Sequence, residues 1–65
     1  MNDLYDLVKV VNPPRNAEEF QDAVGIIKEI HYGNLYEILF IGKKLNELSI
    51  KQGRVLFTDK EIEGV

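Results

Sequence analysis

Few side chains in this sequence could carry chemistry, and their spacing does not bring them together. His31 is the only histidine of the chain, and cysteine is absent. Histidine ordinarily titrates nearest neutrality, but catalysis or metal binding also needs a second imidazole, a thiolate or a carboxylate at fixed spacing. The sequence shows no such pattern, so we predict neither a catalytic residue nor a metal ligand. We interpret His31 as a half-exposed hairpin residue.

The hydroxyl and carboxyl side chains are no better placed for catalysis. Ser49 and Thr58 are the hydroxyl residues besides the tyrosines, and neither lies near the histidine in sequence or in a nucleophile motif. Three carboxylates, Glu18, Glu19 and Asp22, are close enough to crowd, but no apolar residues are placed to desolvate them. We therefore predict a protein that is not an enzyme and needs no cofactor.

Composition bounds the fold and the class of partner. The 65 residues predict one domain over 1–65, near the size at which a single hydrophobic core is only just sufficient. Without cysteine, the apolar side chains must hold the fold unless an oligomer buries further surface. The net charge of −3 opposes attraction to phosphate backbones, so nucleic-acid binding is disfavoured. No apolar run has the length of a membrane span or signal peptide, and we expect a small acidic cytoplasmic protein without membrane contact.

Alternating apolar residues predict short β-strands along most of the chain, which indicates an all-β fold. Gly33 and Asn34 both tolerate positive φ, so we expect the second and third strands to form a hairpin around them. The third strand is apolar on both faces except at Glu37, which is typical of a central strand buried on both sides. The predicted strands cover residues 7–11, 23–31, 35–41, 48–51 and 54–57.

Glycine, proline and helix-capping residues predict where the strands end and where the chain turns. Two prolines end the first strand, and the long loop 12–22 that follows is either open or forms one helical turn. Gly25 predicts a bulge or a sharp bend inside the second strand. A tight turn is expected at 52–53. Thr58 and Glu61 have the spacing of a capping box, which predicts one helical turn near the C-terminus.

The order of these elements resembles the SH3-like small barrels. Four segments carry the likeness, LVKVV, AVGIIKEI, LYEILF and RVLFTDKEIEGV. They are similar in style to KOW domains, to the β subunit of nitrile hydratase and to the variable subunit of ferredoxin–thioredoxin reductase. The resemblance implies a five-stranded SH3-like barrel with a long first loop and a short C-terminal helical turn. It places the signature glycine at Gly25, the returning strand at Tyr36, Ile38 and Phe40, and the closing element at Leu56, Glu61 and Ile62.

A KOW-like surface implies binding to RNA or DNA, and the last two turns and the strands between them carry basic residues for it. The alternative interpretation is that these lysines flank edge strands and discourage aggregation. Loop 12–22 departs from the KOW pattern, because it is acidic where those modules carry basic residues and a further glycine. The candidate nucleic-acid-binding residues are Lys43, Lys44, Lys51, Arg54, Tyr32 and Tyr36.

Loop 12–22 is the candidate surface for protein contact. Long loops in small domains are often functional, and Phe20 among the acidic Glu18, Glu19 and Asp22 has the composition of an anchor with a charged rim. The alternative is that Phe20 belongs to the core and the acids solvate the loop. Our leading hypothesis is a non-enzymatic protein-binding or regulatory module that acts through this loop and an edge strand. Its partner would be another protein or a second copy in a homodimer, and nucleic-acid binding is the alternative function.

Overall fold

A single antiparallel sheet of five strands forms the framework of the chain, whose computed structural model describes residues 2–52 and 55–65. In chain order the strands are β1 (Leu7–Val10), β2 (Val24–His31), β3 (Leu35–Phe40), β4 (Leu56–Phe57) and β5 (Ile62–Gly64). They lie side by side in the order β4-β3-β2-β1-β5. The predicted mainly-β class is confirmed. The predicted closed barrel is not confirmed, because the sheet order leaves β4 and β5 at opposite edges.

The first three strands follow the sequence prediction to within one residue at each end. β2 and β3 form the predicted hairpin, and their register pairs Gly25 with Phe40 at one end and His31 with Leu35 at the other. The turn between them has φ values of 86° at Gly33 and 58° at Asn34. Glycine and asparagine tolerate this left-handed region, which explains why the hairpin turns here.

Residues 48–51, predicted as a strand, instead form the end of helix α1, Lys43–Lys51. Leu45 and Leu48 lie three positions apart and pack against the core, as in an amphipathic helix. The strand prediction was wrong because four residues are too few to separate a period of 2 from one of 3.6. Of the predicted strand 54–57, β4 keeps the last two residues, while Gly53 and Arg54 lie outside the described residues.

The C-terminal residues form a strand where the capping-box spacing predicts a helical turn. The Thr58 backbone N–H does donate to Glu61 Oε1 at 2.7 Å, and the Glu61 N–H donates to the Thr58 carbonyl at 3.0 Å. These two bonds close a tight turn. The chain then continues as β5, because Ile62 is buried in the core and β5 pairs with β1.

The core lies between one face of the sheet and a 3-10 helix, Arg15–Phe20, in the first loop. This helix brings Phe20 under the sheet, where its side chain is 0% exposed. Its ring stacks on Phe40 with centroids 4.8 Å apart and meets Phe57 edge to face at 6.1 Å. Phe20 is therefore a core residue, and the alternative of an exposed anchor is wrong. The buried apolar residues are Val8, Val10, Ala17, Phe20, Ala23, Ile27, Tyr36, Ile38, Phe40, Phe57 and Ile62.

Gly25 was predicted to mark a bulge or a sharp bend; the bulge is not at this residue, which is needed instead for close packing. It pairs regularly with Val8 on β1 and with Phe40 on β3. A Cβ at this position would lie 2.6 Å from the Ile38 side chain and 2.6 Å from the Leu39 carbonyl oxygen. The irregularity in β2 falls three residues later, between Ile27 and Glu29.

Candidate functional site

An apolar row crosses the outward face of the sheet, on the side opposite the core. Leu7 on β1 pairs with Ile26 on β2, which pairs with Leu39 on β3. The Val65 N–H donates to the Leu7 carbonyl at 3.0 Å and extends the row past β5. We call Val65, Leu7, Ile26 and Leu39 the apolar band. The three strand residues are 42%, 36% and 45% exposed in chain order, so the prediction that β3 is buried on both faces is wrong.

The apolar band ends at a groove between the sheet and helix α1. The groove has a volume of about 410 Å³ and is lined by Leu39 from β3 and by Ile50, Ser49 and Asn46 from the helix. Ile50 is itself exposed, while Ser49 is buried. Lys28 and Glu37 also line the groove, so it combines apolar surface with hydroxyl, amide and charged groups.

A polar cluster lies next to the band, near the turn of the β2–β3 hairpin. The His31 Nε2–H donates to Glu37 Oε1 at 2.9 Å, and Lys28 Nζ lies 3.5 Å from Glu37 Oε2. Glu29 pairs directly across the strands with Glu37. One ligating atom from each of Glu29, His31 and Glu37 lies within 4.8 Å of the others. Imidazole nitrogen and carboxylate oxygen are donor types that bind divalent transition metals.

Sequence reasoning missed this cluster, although two signals for it were present. Glu29 and His31 are two residues apart in a strand, so their side chains lie on one face. The hairpin turn at 32–34 then folds β3 back and brings Glu37 across from them. The absence of a sequence-local metal motif around His31 is therefore not informative, because the third member comes from the neighbouring strand.

The acidic residues of loop 12–22 are exposed, as expected, but they surround no exposed anchor. Glu18, Glu19 and Asp22 are all solvent-accessible, and Lys9 Nζ lies 4.0 Å from Asp22 Oδ1. The loop is tied down, because the Asp22 N–H donates to the Val10 carbonyl at 2.8 Å. With Phe20 in the core, a protein contact at this loop would be polar, and it stays a prediction.

Three of the candidate nucleic-acid residues lie on helix α1, together with an acidic residue. Lys43, Lys44 and Lys51 are exposed on α1, and Glu47 lies three residues after Lys44 and four before Lys51, next to both. Tyr32 is fully exposed at the hairpin turn. Arg54 lies outside the described residues, and nucleic-acid binding stays a prediction.

Tyr36, the second predicted stacking residue, is a core residue and cannot stack on a base. Its hydroxyl hydrogen-bonds to Asp59, and this bond, together with burial and the charges of Asp59 and Asp3, raises the pKa of Tyr36. The bond joins β3 to the turn before β5. Because the side chain of Tyr36 is buried, its prediction as a binding residue is wrong.

Comparison of the chain with protein-family models, with curated proteins and with solved structures found no match. The resemblance to SH3-like and KOW modules therefore stays a prediction. Among the residues that the structure describes, no helix has the length and apolar character to cross a membrane.

Proposed function

We propose that this chain is a non-enzymatic protein-binding module that docks through the apolar band, and that its partner is a second copy of itself. The observation that carries the proposal is the register of Leu7, Ile26 and Leu39, which aligns three exposed aliphatic side chains across neighbouring strands. Contiguous exposed apolar surface of this kind is typical of an interaction site in a soluble domain.

A second copy fits this surface for reasons of symmetry. In a two-fold dimer the same patch meets itself, so an apolar band crossing a sheet can pack on an identical band in a face-to-face sandwich. The residues beside the band carry both signs of charge, with Lys28 and Glu29 on β2. A two-fold axis through the band can bring the positive group of one copy near the negative group of the other.

The size of the chain supports the same partner. A domain of about 60 residues buries about 60% of the surface that its unfolded chain exposes, a smaller share than larger domains bury, so its single core is only just sufficient. Covering the apolar band in a dimer removes further apolar area from water at about 25 cal/mol per Å². Self-association therefore contributes to the stability of the fold as well as to recognition.

The test is the molar mass of the protein in solution, measured by size-exclusion chromatography with light scattering over a concentration series up to about 1 mM. We expect a dimer for the natural sequence and a monomer for Leu39→Lys, because the charge would be buried without a partner. Ile30→Lys is the matched control. Ile30 is 40% exposed on the same hairpin, but it pairs with Tyr36 on the opposite face of the sheet.

Circular dichroism of each variant keeps folding separate from association. A natural sequence that stays monomeric at the highest concentration would refute the proposal. So would a dimer that survives Leu39→Lys in a folded protein, because the contact would then lie elsewhere. A dimer lost equally in the folded Leu39→Lys and Ile30→Lys proteins would also reject the band as the contact.

A further inference from the structure

We propose that Glu29, His31 and Glu37 form a binding site for a divalent transition-metal ion of the Zn²⁺ class. Each residue offers one ligating atom, and these atoms lie within 4.8 Å of one another on the outward face of the hairpin. A Zn²⁺ ion takes imidazole nitrogen at about 2.0–2.1 Å and carboxylate oxygen at about 2.0–2.2 Å. Metal binding would require side-chain rotations that bring the three atoms closer together, and all three residues are exposed or partly exposed.

The backbone irregularity in β2 builds this cluster. Ile27 pairs with Ile38, but the next paired residue is Glu29, opposite Glu37, so Lys28 is the extra residue of a bulge. Without that extra residue, the alternation of the strand would put Lys28 opposite Glu37 and turn Glu29 to the other face. β-Bulges re-aim side chains in this way at functional sites.

Electrostatics give an independent reason for a cation here. Glu29 and Glu37 are directly opposite each other on neighbouring strands, and like charges in this arrangement are destabilising. Lys28 offsets part of the repulsion through Glu37 Oε2, at 3.5 Å, which leaves Oε1 directed at His31. A divalent cation among the three ligands would balance the two carboxylate charges.

The donor set selects the class of metal. Ca²⁺ and Mg²⁺ prefer oxygen ligands throughout, so the imidazole nitrogen favours Zn²⁺ and its neighbours in the first transition row. His31 Nε2 now carries the proton that it donates to Glu37. Metal binding takes the place of that proton at Nε2: in a neutral ring the proton moves to Nδ1 by exchange with solvent, and in a doubly protonated ring the Nε2 proton is released to solvent while the Nδ1 proton stays. Three protein ligands leave a fourth position for water, and Lys28 remains as the partner of the ligating Glu37.

The experiment is a titration of the untagged full chain with Zn²⁺ by calorimetry and with Co²⁺ by visible absorption. We expect saturable binding of one ion per chain, a d–d band for the Co²⁺ form, and shifts of the His31 ring signals in NMR spectra. Glu29→Gln removes one ligand while keeping the shape of the side chain, and we expect affinity to fall about tenfold or more. His31→Ala should abolish the Co²⁺ band.

Glu63→Gln is the matched control, because it removes the same charge from an exposed residue on β5, away from the cluster. Its affinity for Zn²⁺ should equal that of the natural sequence. Absence of saturable Zn²⁺ binding would overturn the proposal. So would equal affinity in the Glu29→Gln and Glu63→Gln proteins, or displacement of Co²⁺ by equimolar Ca²⁺.

This inference stands apart from the proposed self-association, and the same titrations separate the two. Leu7 belongs to the apolar band but lies on β1, away from the cluster, so Leu7→Lys should also be monomeric and should still bind one Zn²⁺ per chain. If that variant binds no metal while the natural dimer does, the three residues are not sufficient as a site and the proposal fails. Loss of dimerisation alone leaves the expected metal stoichiometry unchanged.

Discussion

Replacement of Phe20 by alanine should remove a large part of the stability of this domain. The ring is fully buried and lies against two others, Phe40 at 4.8 Å and Phe57 at 6.1 Å. Truncation of a buried phenylalanine to alanine costs about 3–5 kcal/mol, including the cavity that it leaves. At about 0.05–0.15 kcal/mol per residue, a chain of this length has roughly 3–10 kcal/mol in total. Phe20→Ala should therefore remove at least about a third of that stability, and at the low end of the range it would unfold the protein at room temperature.

The assay is urea unfolding followed by circular dichroism, with three variants compared with the natural sequence. We expect Phe20→Ala to lower the free energy of unfolding by about 4 kcal/mol. Phe20→Leu keeps most of the apolar volume and loses the ring contacts, so we expect a smaller loss of about 1–2 kcal/mol. Glu19→Ala changes an exposed neighbour in the same 3-10 helix and should alter stability by no more than about 0.5 kcal/mol.

The leucine variant keeps the measurement quantitative even if the alanine variant does not fold. A free energy of unfolding for Phe20→Ala within about 0.5 kcal/mol of the natural value would refute the reasoning. Phe20 would then be dispensable for the core, and the exposed anchor that its acidic neighbours suggest would become the better interpretation of the loop.

Three further predictions concern the sheet and its polar groups. Gly25→Ala should lower the free energy of unfolding by about 1–3 kcal/mol, because the added methyl meets a carbonyl oxygen at 2.6 Å, whereas Gly64→Ala in open space should change it little in the same urea assay. A hydrogen bond to a neighbouring carboxylate, together with burial, raises the pKa of Tyr36. The stabilisation from this shift is present below about pH 10 and is lost as pH rises through the raised pKa. The free energy of unfolding, measured against pH, should therefore fall above about pH 10 in the natural sequence, and this fall should be missing in Tyr36→Phe. In metal-free protein, Glu29→Gln should raise the free energy of unfolding by about 0.2–1 kcal/mol, because it ends the repulsion of Glu37; an unchanged or lower value would contradict that account.

Alternation of apolar residues predicted the strands that pack one face against the aromatic core. β1, β2 and β3 have long enough apolar runs to show a period of two, and Gly33 marks the hairpin turn by its tolerance of positive φ. The segment 48–51 did not meet that condition. Its apolar residues fit either period, and the packing of Leu48 from α1 against the core decided between them.

The C-terminal turn shows how tertiary structure overrides a correct local signal. The hydrogen bond from the Thr58 N–H to Glu61 is the one that the capping-box spacing predicts. Helix continuation would have taken Ile62 out of the core and left the outer edge of β1 unpaired. Pairing with β1 satisfies more backbone groups than one helical turn, so a strand follows.

The candidate sites were harder to predict than the strands, because they depend on which residues meet across the sheet. Leu7, Ile26 and Leu39 are ordinary apolar residues in the sequence, and only the register aligns them on the outward face. The cluster around His31 depends on a bulge at Lys28, and no glycine at that position indicates the bulge in the sequence. A one-residue change in the β2–β3 register would disrupt both surfaces.

The edge strands of this sheet limit how copies of the chain can join. β4 and β5 are only two and three residues long, so neither offers a template on which another chain could extend the backbone ladder. Growth into fibrils by strand addition is accordingly disfavoured at both ends. Self-association through side chains of the outward face, as proposed above, would stop once two such faces have closed on each other.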